Sequence, residues 1–345
     1  MRIMKSFFLY LIPILGLLAC SDNDSDQKVS EDAPDYSGNG PKVYRNPVCP
    51  QSLPDPTVLE DNGVFYLYAT EDTRNVPIMV SNNLVTWKQK GTVFNDVNRP
   101  NFVPGGGIWA PDVNKIGNNY VLFYTMSVWG GVWDCGIGIA TADNPLGPWY
   151  NKGKLFISSE IGVCNSIDPF YIEDNGKKYL FWGSYGGGIW AIELSDDGLS
   201  LKKGAEKVQV AADTYEGTYI HKKDGYYYLF ASINNCCDGL NSIYTTVVAR
   251  SESLFGPYVN KMGKGMMTGN HEILIQGDKV NFFGTGHNSE IVTDKNGDDW
   301  ILYHAYAKNV SDWARTLMLD KVTWQKGWPK VGIGTPSQIS EAPVF

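Results

Sequence analysis

The fold is decided by residues 215–232, which read YEGTYIHKKDGYYYLFAS. This stretch predicts two short strands joined by a tight turn at Asp224-Gly225, because an Asp-Gly pair accepts the positive φ angles of a two-residue hairpin. The second strand, Tyr226 to Ser232, is aromatic and apolar almost throughout, so we expect it to be buried on both faces. A carboxylate, Glu216, stands at the head of the first strand.

The same pattern recurs four more times along the chain. Each copy joins a short strand to an aromatic strand through a turn that contains glycine, and the copies lie about 50 to 70 residues apart. A repeat of this length with almost no helical pattern is typical of a β-propeller, so the sequence predicts an all-β, five-bladed β-propeller. The turn glycines are Gly63, Gly117, Gly176, Gly225 and Gly297.

Acidic residues recur at one position of this repeat. In a propeller the first strand of each blade lines the central channel, and a proline at the start of such a strand removes no ladder hydrogen bond. Asp55 and Asp168, each followed by proline, are therefore expected at the channel rim, and Glu216 is expected in the corresponding place one blade later. Ala110 and Asn288 are expected there in the second and fifth blades. Three carboxylates are thus predicted to converge on one axial pit.

Composition and charge narrow the possible partners. The 345 residues include 29 basic and 37 acidic ones, a net charge of −8, and no basic cluster. This argues against nucleic acid and against a strongly anionic polymer as the partner. Five tandem blades use nearly everything from Asp55 onward, which predicts a single domain over residues 43–345, and we expect a monomer.

The N-terminus resembles a bacterial lipoprotein signal. A positive segment at residues 1–5 precedes an apolar segment at residues 7–19 that is too short for a comfortable membrane span. We predict a lipoprotein signal peptide at residues 1–19, with Cys20 as the acylated first residue of the mature protein, and a flexible acidic tether at residues 20–42. The protein is then expected to be lipid-anchored to the bacterial outer membrane, at the cell surface or facing the periplasm, with no other membrane association.

Five cysteines remain when Cys20 is left out. An odd number leaves at least one unpaired, so they do not form a disulfide framework. A bond between the adjacent Cys236 and Cys237 would close a strained ring, and we expect most of these cysteines to be packed thiols.

Carboxyl groups that face each other across a cleft are what glycoside hydrolysis requires. A protonated carboxylic acid gives its proton to the leaving oxygen, and an ionised carboxylate attacks the sugar or activates water. Two neighbouring carboxyl groups of like charge raise the pKa of one of them, which keeps one protonated near neutral pH. The positions of Asp55, Asp168 and Glu216 therefore predict a glycoside hydrolase whose partner is a polysaccharide.

Several motifs, in their order along the chain, resemble glycoside hydrolase family 43 and within it the arabinanases, over about residues 46–340. They include Asp55-Pro56, Trp109–Asp112, Asn165–Pro169, Glu216-Gly217, Cys236–Gly239, Gly286–Ser289 and Tyr303–Tyr306. The resemblance implies an inverting enzyme in which Asp55 is the general base, Glu216 is the general acid, and Asp168 tunes and orients that acid.

The resemblance also implies a substrate, α-1,5-linked L-arabinofuranosyl bonds in arabinan. Exo-acting members of the family often carry an additional β-sandwich domain that closes one end of the cleft, and this chain stops after its fifth blade, so we expect internal cleavage. The alternatives are an exo-acting α-L-arabinofuranosidase or β-xylosidase of the same family, and a surface glycan-binding lipoprotein without catalysis. The presence of all three acidic positions argues against the last.

Aromatic and polar residues near the rim are candidates for substrate binding. Trp109 immediately precedes a channel-lining strand and is expected to stack on a sugar ring. Trp129 and Trp133, in a glycine-rich loop, are expected to wall the cleft. The resemblance adds Asn165 and Ser184 as substrate-binding residues.

One departure from the arabinanase pattern follows Ser184. Arabinanases carry two aromatic residues at this point, whereas in this chain Tyr185 is followed by Gly186. Gly186 is expected to open space where an aromatic wall is otherwise found.

His287 is the candidate metal ligand. The resemblance implies one hydrated calcium ion near it, with this histidine as the protein ligand, and no organic cofactor. Calcium prefers several oxygen ligands, and one imidazole is far short of a zinc site. The ion is therefore expected to act structurally and electrostatically, through its waters.

Overall fold

The repeat forms five antiparallel sheets that follow one another along the chain. The structure is a computed structural model that describes residues 42–130 and 133–345. The signal peptide and, apart from Lys42, the tether predicted from the sequence lie outside these residues. The prediction of an all-β, five-bladed propeller is confirmed.

The first three blades each contain four consecutive strands. Two short strands, β1 (Val43–Arg45) and β2 (Cys49–Ser52), precede the first blade. Blade one contains β3 (Thr57–Asp61), β4 (Val64–Tyr68), β5 (Pro77–Ser81) and β6 (Lys88–Thr92). Blade two contains β7 (Gly107–Ile116), β8 (Asn119–Ser127), β9 (Gly136–Ala142) and β10 (Tyr150–Ile157), with a short helix α1 (Ser158–Ile161) after it. Blade three contains β11 (Phe170–Asp174), β12 (Lys177–Trp182), β13 (Ile189–Glu193) and β14 (Val208–Ala211).

Blade four and the C-terminal strands complete the set. Blade four contains β15 (Glu216–Lys223), β16 (Tyr226–Ile233), β17 (Thr245–Ser251) and β18 (Glu272–Gln276), with 3₁₀ turns at Gly239–Asn241 and Met266–Thr268. The remaining strands are β19 (Phe282–Gly286), β20 (Ile291–Thr293), β21 (Asp299–Ala307), β22 (Arg315–Gln325), β23 (Trp328–Val331) and β24 (Ile339–Glu341).

The hairpin that defines the repeat has the predicted geometry. Lys223 pairs with Tyr226 across a two-residue turn, and both turn residues, Asp224 (φ 50°) and Gly225 (φ 81°), have positive φ. The following strand is buried from Tyr227 through Ser232. The turn therefore fixes a register in which one apolar strand lies inside the blade.

Blade five is completed by a strand from the other end of the chain. Its order is β19-β21-β22-β2, so β2 pairs with β22 through Cys49 with Leu317 and Ser52 with Thr316. A second pairing, β1 with β24, joins the two ends again. These strands close the ring with backbone hydrogen bonds. The repeat does not predict this joint, because a lone short strand carries no turn and no aromatic partner.

The core lies between neighbouring blades. Four clusters of buried apolar and aromatic side chains fill the gaps, one between blades one and two, one between two and three, one across blades three to five, and one between blades five and one. Large aromatics such as Trp182, Tyr124 and Phe230 are fully buried there. Within the described ranges, no helix is both long and apolar enough to cross a bilayer.

Candidate active site

In each blade, the chain reaches the channel at one residue that has positive φ. The five are Asp55 (φ 53°), Ala110 (φ 39°), Asp168 (φ 58°), Gly217 (φ 62°) and His287 (φ 46°). We call these the rim residues. An L-residue in this region of the backbone is uncommon and costs free energy, so the four that are not glycine mark a constrained structure at this position of the repeat.

Two of the predicted rim positions are wrong by one residue. Gly217, not Glu216, takes the rim place in blade four, and His287, not Asn288, takes it in blade five. Glu216 pairs with Ser232, as Trp109 pairs with Thr125 in blade two, so both residues stand directly before the rim residue. Glu216 therefore reaches the site from the residue before the rim.

Hydrogen bonds between consecutive blades hold four of the rim residues. The backbone N–H of each donates to a side chain at the end of the second strand of the preceding blade. The pairs are Ala110 with Thr70 Oγ1 (2.7 Å), Asp168 with Thr125 Oγ1 (2.9 Å), His287 with Ser232 Oγ (2.8 Å) and Asp55 with His304 Nδ1 (3.1 Å).

The fifth junction, between blades three and four, is arranged differently. The N–H of Gly217 donates to Asp168 Oδ2 (3.1 Å), and Ser184, the hydroxyl at the end of the second strand of blade three, instead donates to Glu216 Oε2 (2.6 Å). The hydroxyl of Tyr244 donates to the other oxygen, Glu216 Oε1 (2.6 Å). Both oxygens of Glu216 are thus positioned by hydroxyl groups.

Asp55 is held in its ionised form. Burial alone would raise its pKa, but the Arg315 guanidinium, 3.5 Å from Oδ2, and then His287 hold the pKa of Asp55 well below the ordinary aspartate range. Thr70 Oγ1 donates to Oδ2 at 2.6 Å, and His287 Nδ1 lies 3.3 Å from Oδ1. A buried carboxylate with these partners remains a base at neutral pH.

Asp168 lies at the same position of the repeat as Asp55, but its pKa is raised rather than lowered. Burial raises the pKa of Asp168 to about 7; His287 opposes this rise, and the like charges of Glu216 and Asp55 add to it. Asp168 therefore holds a proton on part of the molecules near neutral pH, directly beside Glu216.

The two histidines beside Asp55 differ in charge. Burial alone would lower the pKa of His287, but the carboxylates of Asp55 and Asp168 raise it to about 9. Burial lowers the pKa of His304 to about 3, and its Nδ1 accepts the N–H of Asp55, so this ring is neutral and its 3.4 Å approach to Asp55 Oδ1 is not an ion pair.

One cavity of about 550 Å³ joins these groups. All three predicted catalytic carboxylates, Asp55, Asp168 and Glu216, line it. The other predicted site residues also line it: Trp109, Trp129, Trp133, Asn165, Ser184 and His287. The structure therefore brings every predicted site residue to a single cleft at the mouth of the channel.

Two of the predicted substrate-binding residues make contacts within the protein. Ser184 is buried and donates to Glu216, so its hydroxyl positions the acid. Asn165 Nδ2 donates to the carbonyl of Tyr185 (3.0 Å). Their roles toward a sugar remain predictions.

The cysteine expectation needs a correction. Cys236 and Cys237 form a disulfide bond between adjacent residues, and both line the cleft. Cys49 and Cys135 are buried thiols, and Cys164 is an exposed one. Two of the five cysteines are therefore packed thiols, rather than most of them, because counting cysteines says nothing about a bond between sequence neighbours.

Sequence reasoning missed the residues that set the protonation of the site. Arg315 and Tyr244 come from parts of blades five and four that carry no carboxylate motif. Thr70 and His304 were visible as the last residues of the aromatic strands, where Thr125, Ser184 and Ser232 also stand. An alignment of the repeat at this position would have found them.

This arrangement places an ionised Asp55, an Asp168 with a raised pKa and Glu216 around one cleft. Glycoside hydrolysis uses an ionised carboxylate as a base and a protonated carboxyl group as an acid. The fold and the site together define a β-propeller glycoside hydrolase.

Comparison with known proteins gives the family. Residues 44–329 match the model of glycosyl hydrolases family 43, and the chain belongs to this family. It is 31% identical over 304 residues to the extracellular exo-α-(1→5)-L-arabinofuranosidase of Cellvibrio japonicus, covering 80% of this chain and 85% of that protein. It is 30% identical over 290 residues to the extracellular endo-α-(1→5)-L-arabinanase 1 of Bacillus subtilis, covering 80% and 87%.

The chain is also similar to a solved arabinanase structure. The α-L-arabinanase of Cellvibrio cellulosa in complex with arabinohexaose is 29% identical, with a TM-score of 0.74 over 82% of this chain and 96% of that one. The resemblance to family 43 seen in the sequence is confirmed.

The Asp168–Glu216 pair predicts a pH effect. Asp168→Asn removes the like charge beside Glu216 and keeps an acceptor for the N–H of Gly217. The proton of the pair should then be lost at lower pH, so the alkaline limb of kcat/KM should move down by roughly one pH unit. Hydrolysis of a soluble oligosaccharide measured from pH 4 to 9 checks this, with Glu193→Gln, away from the cleft, as the control; the pKa of Asp55 lies below this range, so Asp55 adds no acid limb to it. An alkaline limb that stays in place would show that Asp168 does not set it.

Proposed function

We propose that this protein hydrolyses α-1,5-linked L-arabinofuranosyl bonds in arabinan, within the chain and with inversion at the anomeric carbon. The observation that carries the proposal is that one cleft holds an ionised Asp55 and, beside Glu216, an Asp168 whose pKa burial raises to about 7. The names of the relatives, which include both endo- and exo-acting enzymes on α-(1→5)-linked arabinose, support the choice of substrate.

The reaction assigns one task to each carboxyl group. Asp55, kept ionised by Arg315, takes a proton from a water molecule, which attacks the anomeric carbon. Glu216, oriented by Ser184 and Tyr244, gives its proton to the departing glycosidic oxygen as the carbon–oxygen bond breaks. Asp168 touches neither reacting atom in this scheme; its negative charge and its contact with Gly217 favour the protonated acid.

Exo-cleavage is the second candidate, because one relative of this chain is named as an exo-acting enzyme. Digestion of debranched arabinan followed by sizing of the products separates the two modes. Mixed oligomers early in the reaction indicate internal cleavage, and monomer or a single short product indicates exo-cleavage. A chain that binds the glycan but releases nothing would be a binding protein, and release of xylose from xylo-oligosaccharides instead would point to a β-xylosidase.

The role of Glu216 gives a sharper test. Glu216→Gln keeps the size and shape of the side chain but removes the transferable proton, so kcat on arabinan should fall by about 10²–10⁴-fold. An aryl arabinoside with a good leaving group should be affected less, because its departing oxygen needs little protonation. The matched control is Glu193→Gln, on blade three away from the cleft. Undiminished hydrolysis of arabinan by Glu216→Gln would remove Glu216 from this role, and NMR of the first-formed anomer tests inversion directly.

We also propose that a hydrated calcium ion binds near His287. Two buried oxygens, Thr218 Oγ1 and Asn288 Oδ1, have no hydrogen-bond partner and line a small channel cavity together with His287. Hard oxygen donors suit calcium, and Nδ1 of His287 already faces Asp55, an arrangement that orients ligating histidines. Among the described residues no cluster of three or more His, Cys, Asp or Glu side chains is placed to hold a metal, so waters must supply most ligands.

A metal-bound histidine is neutral, so the ion competes with the proton that Asp55 and Asp168 favour on His287. When bound, the ion supplies positive charge beneath the carboxylates. Exhaustive chelation should therefore lower the unfolding temperature and the activity, and calcium should restore both. Unfolding monitored by circular dichroism is independent of turnover. Indifference of both measurements to chelation would contradict the ion.

Location is the last proposal. Two relatives are named as extracellular proteins, and the sequence motif at Cys20 fits lipid anchoring to the outer membrane. The wild-type protein should incorporate labelled fatty acid in the producing bacterium, and Cys20→Ser should incorporate none, because the acceptor thiol is absent. A wild-type protein without label would contradict the anchor. The expectation of a monomer stays a prediction.

A further inference from the structure

The space expected to be open at Gly186 is filled from another blade. A Cβ built on Gly186 would lie 2.3 Å from Cζ3 and 2.9 Å from Cη2 of Trp133, closer than real side chains approach. Trp133 belongs to the loop between β8 and β9 of blade two, whereas Gly186 follows β12 of blade three. The six-membered ring of Trp133 therefore lies directly on bare backbone.

The two segments are tied together through Asn165. Its N–H donates to the carbonyl of Trp133 (3.3 Å), and its Nδ2 donates to the carbonyl of Tyr185 (3.0 Å). The rings of Trp133 and Tyr185 lie 6.3 Å apart between centroids, inclined by 48°. Asn165 thus positions two aromatic side chains that come from different blades.

Both rings face the cleft and remain accessible. Tyr185 is 64% exposed and Trp133 is 42% exposed, and both line the cavity that contains the carboxylates. Tyr185 directly follows Ser184, which holds Glu216. Neighbouring exposed aromatics beside a polar catalytic centre are typical of a binding surface rather than of core packing.

We propose that Trp133 and Tyr185 form a sugar-binding platform beside Glu216, and that Gly186 is the specificity-determining position that permits it. The ligand is one pyranose or furanose unit of the glycan, stacked by its apolar face. Only a residue without Cβ leaves room for Trp133, so any side chain at position 186 displaces the platform. The inference deepens the proposed function and rests on it for the identity of the glycan.

The test compares two glycines with the same backbone strain. Gly186 (φ +82°) has Trp133 against it, whereas Gly176 (φ +74°), in the β11–β12 turn, has open space around its Cβ position. Alanine at either site carries a similar conformational cost. Gly186→Ala should raise KM for arabino-oligosaccharides about tenfold, as expected for loss of one well-packed contact, while Gly176→Ala should leave KM within about twofold.

Trp133→Ala should reproduce the effect of Gly186→Ala. Its KM should rise about tenfold, while kcat and the pH profile are retained, because the carboxylates are untouched. Tyr150→Ala removes an aromatic that is 55% exposed on β10, outside the cleft, and should change nothing. The double variant Trp133→Ala/Gly186→Ala should be no worse than either single variant, since both remove one interaction. Normal KM in a folded Gly186→Ala protein, or full additivity in the double variant, would overturn the platform.

Direct binding separates this inference from the proposed function. Inactive Glu216→Gln protein, with and without Trp133→Ala, is titrated calorimetrically with oligosaccharides of arabinose and of xylose. Weaker binding of either glycan by the Glu216→Gln/Trp133→Ala protein than by Glu216→Gln supports the platform. This holds even if the wild-type protein leaves arabinan uncut and the substrate proposal fails. Equal affinity of the two proteins, or no binding of any glycan by Glu216→Gln, overturns it.

Discussion

The structure depends on one repeated interaction, the hydrogen bond from a rim N–H to the side chain that ends the second strand of the preceding blade. The bond joins neighbouring blades at the axis, where no sheet pairing is present to do so. It also fixes the positive φ that turns each rim side chain toward the cleft. Four junctions follow this rule. At the fifth, Asp168 accepts the N–H of Gly217, which frees Ser184 to hold Glu216. Glu216, the proposed acid, thus lies at the one junction that departs from the rule.

Equivalent positions acquire different chemistry through their neighbours. Asp55 and Asp168 share the same place in the repeat, the same backbone conformation and similar burial. Asp55 faces Arg315, whereas Asp168 faces Glu216. A cation beside one buried carboxylate and an anion beside the other move their pKa values apart. One residue type therefore provides the proposed base and the partner of the proposed acid within a single cleft.

The sequence predicted the features that are periodic and missed those that are not. The turn and aromatic strand recur, so five blades and the rim residues Asp55 and Asp168 follow from the pattern. Glu216 lies one residue before the rim, where Trp109 lies in blade two, and the recurrence of acidic residues alone does not distinguish these two neighbouring positions. Gly186 is a second example. The sequence of blade three predicts open space at Gly186, but Trp133 of blade two fills that space. Side chains from several blades form the cleft on the axis, whereas a sequence pattern within one repeat describes only one blade.

The strands that close the ring also position Asp55, the proposed base. The strand β2 pairs with β22 and runs directly into Asp55, while Arg315 begins β22. Around this pairing, the N–H of Leu53 donates to the carbonyl of Arg315 (3.0 Å), and the N–H of Arg315 donates to Ser52 Oγ (3.1 Å). The backbone bonds that join the two ends of the propeller therefore also set the distance between the base and its cation. Opening the ring would separate Asp55 from the charge that keeps it ionised, so the base is complete only when the fold is closed.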